Sequence, residues 1–277
     1  MSAALLSHPK IAFLGGGNMA AALIGGLLKT GWPASQIVVA EPMPARADWL
    51  QTEFGVAVHA TGAALPADSD ALVLAVKPQQ MATALAGLSL KPGALVVSIA
   101  AGVRLATLQR LLGPQLSYVR TMPNTPALLG AGITGLFAPV GTSDAARTLA
   151  EQLLTAAGAC VWVDEEPQLD AVTALSGSGP AYFFLLVEAL RDAGTALGLK
   201  PEVAAQLAAQ TCVGAARMVG ESGLDAAVLR ANVTSKGGTT EAAVNHLEAS
   251  GLRAHFKQAL FEADARAKAL GDALDQA

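Results

Sequence analysis

Residues 10–20, Lys-Ile-Ala-Phe-Leu-Gly-Gly-Gly-Asn-Met-Ala, constrain the fold of this chain more than any other stretch. Ile11 to Leu14 is a short apolar run that ends in glycine, the pattern of a buried strand. Gly15, Gly17 and Ala20 have the G-x-G-x-x-A spacing, and residues 20–28 read as a helix behind them. A strand, a tight glycine turn and a helix, in that order, form the context in which this spacing binds a dinucleotide. Gly15 permits the turn, Gly17 leaves room for a pyrophosphate to approach the backbone, and Ala20 lets helix and strand pack closely. The helix N-terminus then offers free N–H groups and a positive dipole end to the phosphates. An ordinary glycine turn in an α/β protein has the same spacing, so the motif points to a dinucleotide without proving one.

The following residues extend the pattern. Residues 36–40 read as a second strand, with Glu41 at its end, where a dinucleotide fold meets the adenine ribose. A carboxylate there hydrogen-bonds the ribose 2′-hydroxyl of NAD and repels the 2′-phosphate of NADP. Arg46, close by in sequence, offsets part of that repulsion, so the preference stays open. Residues 45–54 look helical, and 56–59 form a weak strand. Residues 71–76 are almost continuously apolar, as a central parallel strand buried on both faces must be. They end in Lys77-Pro78, where a helix begins. Residues 94–99 repeat the pattern and end in Ala100-Ala101-Gly102, whose small size lets a ligand approach the backbone. Both turns lie at strand C-termini, where open α/β sheets bind ligands. Lys77 is a candidate contact there, although a solvated loop lysine fits the same place. Residues 116–121 give a further strand, followed by the uncharged, two-proline loop 122–127, expected close to the nicotinamide. Strands at 133–138 and 160–163 flank a helix at 143–157. Strands alternating with helices up to residue 163 argue for a doubly wound sheet.

After Asp164 no convincing strand follows. Ser178-Gly179-Pro180 starts a helix, with proline tolerated in the first turn, and the helix runs on to about Leu197. Its segment 182–187 is apolar on every side and must be buried all round. Residues 164–277 are too few to enclose it, so the chain is expected to dimerise. Residues 203–219 continue as helix, and Leu252, Phe256, Leu260, Ala263, Ala267 and Leu270 form a 3.6-period stripe on the last one. Between them, Gly237 and Gly238 make a turn, and Thr239 and Thr240 open a helix. This is a second helix N-terminus able to hold an anion, lined with hydroxyls. A plainly capped helix start fits the same residues.

Composition removes other classes. Hydrophobic residues are 52% of the 277 and charged ones only 14%, ample for a large core and a hint of apolar surface hidden in an oligomer. The net charge of -4, with no basic run, argues against nucleic acid as a partner. Cys160 and Cys212 are isolated, and His8, His59, His246 and His255 lack ligand spacing, so no metal is expected and a reduced cytoplasmic setting is the default. Residues 1–9 lack the charged and apolar regions of a secretion signal. Residues 120–144 are nearly uncharged, but Pro123, Pro126, Gly130, Gly132 and Gly135 break them, so no membrane span is expected.

Several stretches together resemble the pyrroline-5-carboxylate reductases along almost the whole chain: Gly15-Gly-Gly-Asn-Met-Ala20, Ala75-Val-Lys-Pro78, Ser98-Ile-Ala-Ala-Gly102, Met122-Pro-Asn-Thr-Pro-Ala127, Leu175-Ser-Gly-Ser-Gly-Pro-Ala-Tyr182 and residues 233–240. The resemblance implies an α/β fold, with a Rossmann-type doubly wound sheet at 1–163 followed by an all-helical dimerisation and substrate-binding domain at 164–277. Two such chains interlock, and pairs often assemble further, commonly into decamers. The implied reaction is reduction of 1-pyrroline-5-carboxylate to L-proline, the last step of proline synthesis, with NADPH or NADH. The substrate is a cyclic imine that becomes a good hydride acceptor once protonated, so the site needs positioning more than a strong acid. That fits the absence of an obvious His or Asp pair.

Carried over residue by residue, the resemblance gives Thr240 the place beside the ring nitrogen and the catalytic role. It gives Ser235, Gly238, Thr239 and Thr240 the substrate carboxylate, with Glu166 nearby. The cofactor would be held by Gly15, Gly17, Asn18, Met19, Glu41, Ala75, Val76, Lys77, Pro78, Ala100, Ala101 and Asn232. Two residues depart from the family pattern. Many members carry a serine in place of Glu41, which serves the 2′-phosphate, and Lys236 replaces a common proline. A β-hydroxyacid dehydrogenase is an alternative, but it needs a catalytic lysine on an interdomain helix, and the helix from Pro180 has none. A catalytically silent nucleotide-sensing module is another, against which the intact Ser235, Thr239 and Thr240 stand.

Overall fold

The computed structural model of the protein describes residues 8–276. Most of the N-terminal stretch that reads as no secretion signal lies outside them. Along the chain come β1 (Ile11–Leu14), α1 (Asn18–Lys29), β2 (Ile37–Ala40), α2 (Pro44–Phe54), β3 (Ala57–His59), β4 (Ala71–Leu74), α3 (Met81–Leu85), β5 (Leu95–Ser98), α4 (Leu105–Leu112), β6 (Ser117–Met122), β7 (Gly132–Phe137), α5 (Asp144–Thr155) and β8 (Gly158–Trp162). The strands form one eight-stranded sheet in the order β3-β2-β1-β4-β5-β6-β7-β8.

Every residue of β1, β2, β4 and β5 is buried. Helices cover both faces of a parallel sheet, so its central strands are apolar throughout and do not alternate with polar residues. Successive side chains still point to opposite faces. Ile11 and Phe13 join Ile24, Leu27 and Val73 in one core. Ala12 and Leu14 join Leu72, Val96 and Leu108 in the other.

β1 pairs with β2 on one side and β4 on the other, aligning Leu14 with Ala40 and Leu74. The strand order reverses here, and the turns after all three strands meet on one edge. In open α/β sheets such a switch point forms the ligand crevice. The turns carry the ladder one step further: Gly15 N–H donates to Ala40 O at 2.9 Å and Ala75 N–H to Leu14 O at 2.8 Å.

β7 pairs antiparallel with β6, and β8 pairs parallel with β7, so the last two strands run against the others. A parallel return would need a crossover of about a dozen residues or more. The connection 123–131 is shorter and folds as a 3-10 turn, Thr125–Leu129. The chain therefore comes straight back alongside β6.

The strands end at Trp162, but the compact units divide elsewhere. The first runs to Gly177 and takes up the chain again from Ala263; the second is Ser178–Glu262. The division expected at residues 163 and 164 thus separates strands from helices rather than one packed unit from the next. The reason is α6 (Gln168–Val172), which buries Leu169 and Asp170 and packs on β6 and β7. A π-helical turn, Thr173–Gly177, follows it. Then come α7 (Gly179–Ala196), α8 (Pro201–Glu221), α9 (Ala226–Asn232), α10 (Thr239–Ala249) and α11 (Leu252–Asp275).

The end of α11 belongs to the first unit. Arg104 donates to Asp272 and Asp275, both at 2.6 Å, the Thr107 hydroxyl donates to Asp275 at 2.6 Å, and Leu274 packs against the second core. In the second unit the interior is slight: among residues 178–262, Gly179, Ala204 and Ala208 are the buried positions. The α7 segment expected to be enclosed with the help of a second chain leaves Phe184 64% and Leu185 65% exposed in the single chain. Among the described residues no helix is long and apolar enough to cross a membrane.

Candidate active site

The glycine turn after β1 is shaped for close approach. Gly15 has φ +100°, and a Cβ there would stand 2.7 Å from Ala75 O. A side chain at Gly16 would collide with Leu50. Gly17 faces open space, with nothing within 4 Å of an added Cβ. It is also the N-cap of α1, which has no side-chain cap and no acidic residue in its first turn. The first N–H groups of α1, at Asn18 and Met19, and its dipole are left for an anion. These residues fit a dinucleotide pyrophosphate, and the cradle would be lost with any side chain at Gly15.

The peptide of Gly16 is gripped from both sides. Its N–H donates to Glu41 Oε2 at 2.9 Å, and its carbonyl accepts from Arg46 Nε at 2.6 Å. Glu41 Oε1 also accepts the Met43 N–H at 3.0 Å. Glu41 stands directly after β2, as its sequence position requires, and is 9% exposed. The Arg46 guanidinium lies 4.2 Å from the centre of the Trp49 ring. Both residues therefore act on the shape of the loop, which their sequence positions alone did not disclose.

The other turns on this edge differ in access. Ala75, Val76 and Pro78 are half-buried, Lys77 is exposed and starts the 3-10 turn Pro78–Gln80, Ala100 is buried and Ala101 exposed. Beside them, Arg120 of β6 lies within the sheet at 4% exposure. It pairs with Glu166 at 3.0 Å and Asp170 at 3.5 Å. Glu166 Oε1 takes both that bond and the Leu105 N–H at 2.8 Å. Glu166 thus braces α6 against β6 and the start of α4. The signal for this network was present in the sequence as a charged residue inside the apolar strand 117–122. The loop residue Asn124 is also buried and bonded, to Ser176 O at 3.1 Å and from Ile133 N–H at 3.0 Å.

In the second unit, α10 opens as expected after Gly237, which has φ +74°. Gly238 is the N-cap and has no side chain to cap with; a Cβ on it would meet Ser235 Oγ at 2.6 Å. Ser235 and Thr239 are exposed and Thr240 half-buried. The Gly237 N–H donates to Glu241 Oε2 at 2.7 Å. Glu241 stands at the third helical position, the place of the reaching glutamate in a capping box. Here Glu241 takes the N–H of Gly237, one residue before the N-cap, so the N–H groups of the helix start itself carry no side-chain cap. Asn232 is the exposed last residue of α9.

Comparison with known proteins bears on the whole chain. Residues 166–270 match the family model described as pyrroline-5-carboxylate reductase dimerisation, and residues 10–102 match that of NADP oxidoreductase coenzyme F420-dependent. The pyrroline-5-carboxylate reductase of Pseudomonas aeruginosa is 49% identical over 273 residues, which cover 98% of this chain and 100% of that one. Among solved structures, a pyrroline-5-carboxylate reductase from Coxiella burnetii superposes with a TM-score of 0.89 at 40% identity, covering 95% of this chain and 98% of that chain. The Plasmodium falciparum pyrroline carboxylate reductase with NADP bound gives 0.80 at 26% identity over 96% and 99%.

A switch-point sheet with an uncapped glycine cradle, followed by a helical dimerisation region, defines a dinucleotide-dependent oxidoreductase that works as a homo-oligomer. The chain belongs to the pyrroline-5-carboxylate reductase family. Nothing among the comparisons supports a β-hydroxyacid dehydrogenase or a silent sensing module, and α7 contains no lysine to serve the former.

Proposed function

We infer that the protein reduces 1-pyrroline-5-carboxylate to L-proline with NADPH or NADH, the closing step of proline synthesis. The observation that carries this reading is the start of α10. Backbone N–H groups with no side-chain cap and three hydroxyls stand there, in a chain whose other unit holds a dinucleotide cradle. The N–H groups of Thr239 and Thr240, with the Ser235 hydroxyl, receive the substrate carboxylate. Gly238 keeps the backbone approachable. The Thr240 hydroxyl lies against the ring nitrogen and orients the C=N bond. Glu241 takes the Gly237 N–H and so holds the turn that precedes these groups. Glu166 contributes through its hold on α6.

A reduced nicotinamide cofactor, when bound, would supply the hydride that the protonated imine accepts. Around it, Gly15, Gly17, Asn18 and Met19 serve the pyrophosphate, and Glu41 the ribose. Ala75, Val76, Lys77, Pro78, Ala100 and Ala101 line the strand ends, and Asn232 is the contact offered from α9. Each Glu41 oxygen that holds a backbone N–H keeps a further lone pair for a ribose hydroxyl. The protein works in the cytoplasm as a homodimer, with α7 at the contact, or as a higher assembly of such pairs up to a decamer.

The test is turnover: purified protein with 1-pyrroline-5-carboxylate and each reduced cofactor, following proline formation. No proline with either cofactor overturns the reading.

A further inference from the structure

Arg46 carries an unanswered question. Its Nη2 is, among the described residues, the one buried side-chain nitrogen or oxygen found without a hydrogen-bond partner. A buried donor on a charged group is costly to leave unpaired, and such atoms in native proteins mark an absent ligand or a functional strain. Elsewhere the guanidinium is held by Nε and by one face. Nε is spent on Gly16 O at 2.6 Å, and the flat face lies 4.2 Å from the Trp49 ring centre. Stacking and the Nε bond fix the plane of the group, leaving its outer fork for a ligand in that plane, the geometry in which guanidinium holds phosphate.

The position narrows the ligand. Arg46 is in the first turn of α2, directly beyond the end of β2, where a dinucleotide fold meets the adenine ribose. Met43, the N-cap of α2, has no side-chain cap, and the first turn of that helix has no acidic residue. Glu41, the carboxylate that would repel an anion here, has both oxygens turned onto backbone N–H groups, Oε2 onto Gly16 and Oε1 onto Met43.

We infer that Arg46 is the residue that admits NADPH, receiving the adenosine 2′-phosphate at the outer end of its guanidinium, which no group among the described residues holds, while Glu41 is held to the glycine loop and away from that charge. The chain then accepts both cofactors through two different residues: Glu41 for a ribose 2′-hydroxyl, Arg46 for a 2′-phosphate. This rests on the reading of the glycine turn as a dinucleotide site.

The experiment is equilibrium binding by titration calorimetry, with NADP+ and NAD+ as probes, on the full chain and its Arg46→Gln and Arg46→Ala variants. Glutamine is neutral and keeps a donor for Gly16 O. The expected result is a loss of NADP+ affinity on the order of tenfold to a hundredfold, with NAD+ affinity changed by less than about threefold. Equal loss for both cofactors, or no loss for either, overturns the inference, because Arg46 would then only shape the loop. Should both variants fail to fold, the wild type still decides. Adenosine 2′-monophosphate must bind it at least about tenfold more tightly than adenosine 5′-monophosphate, and equal binding overturns the inference. A wild type that binds neither NADP+ nor NAD+ instead overturns the dinucleotide reading itself.

Discussion

Asn124 donates through Nδ2 to the carbonyl of Ser176 at 3.1 Å. In an unbroken α-helix that carbonyl would receive the N–H of the residue four places on, which here is Pro180 and has none. The side chain of a loop after β6 thus replaces a missing helix bond, at the π-helical turn that leads into α7. Its Oδ1 meanwhile accepts from Ile133 at the start of β7. One buried amide joins three elements.

Asn124→Ala leaves both the Ser176 carbonyl and the Ile133 N–H unpaired. Both bonds are partly buried, and a buried orphan costs about 1–3 kcal/mol, so urea unfolding should show a loss of about 1–2 kcal/mol. Asn124→Asp, which keeps an acceptor for Ile133 but loses the donor, should be destabilised too. A variant with alanine that unfolds at the wild-type midpoint would show that the amide has no such role.

Thr240→Ala should lower kcat/KM on pyrroline-5-carboxylate while leaving cofactor affinity near that of the wild type. A hydrogen bond to a charged group is worth about 1.5–3 kcal/mol, which corresponds to roughly tenfold to a hundredfold. Steady-state kinetics with a saturating cofactor read this directly, and an unchanged kcat/KM removes Thr240 from the mechanism.

Glu41→Ser removes the acceptor of the Gly16 and Met43 N–H groups and the carboxylate near the ribose. Affinity for both cofactors should fall, and NADH should suffer more. The NADPH/NADH ratio of kcat/KM is expected to rise by about tenfold or more, since 1.4 kcal/mol already gives that factor. A ratio that does not move means that Glu41 acts on the loop alone.

Phe184→Glu or Leu185→Glu should break the homo-oligomer. Both residues lie bare on α7 in the single chain, and a charge placed in an apolar interface of at least the standard size, about 1,600 Å², cannot be paired. Sedimentation equilibrium should show mostly monomer at concentrations where the wild type is assembled. An assembled variant means that α7 is not the contact.

Asp275 gives a pH dependence. Burial works to raise its pKa, but the Thr107 hydroxyl and the Arg104 guanidinium outweigh that and hold the carboxyl below its ordinary value of 3.8. A carboxyl depressed in the folded state adds stability above its unfolded pKa and loses it as the pH falls through the folded pKa. The hold of α11 on α4 should therefore persist to about pH 4 and fail below it. Hydrogen exchange at residues 268–275 measured across that range is the check. Asp275→Asn should already show the faster exchange at neutral pH.

The parts of this fold that were legible in the sequence are those set by neighbours along the chain. The runs at β1, β4 and β5 announce parallel strands because both their faces are covered, and Gly15 announces its turn because a positive φ needs glycine. What was hidden depends on distant partners. The reversal at β7 follows from the length of the connection after Met122 rather than from the strand residues. The stripe from Leu252 to Leu270 reads as one helix face, yet Ala267 and Gly271 are buried in the first unit while Leu252 and Phe256 stay exposed in the second. At the site, Glu41 was placed correctly at the end of β2, but the direction of its carboxylate was not legible, because Gly16 and Met43 approach it only once the loop has closed.

The return of α11 to the first unit also sets an order of events during synthesis. Chains emerge N-terminus first, at roughly 5–20 residues per second. All the strands of the sheet are available once Trp162 has emerged, whereas Asp272 and Asp275, which clasp Arg104 and Thr107, follow on the order of ten seconds later at that rate. The unit that begins first is therefore finished last, after the helices of the second unit have been made. Those helices sit as an insertion inside the cofactor unit. Cutting them off behind Gly177 would yield an isolated sheet without its clasp rather than a working monomeric half.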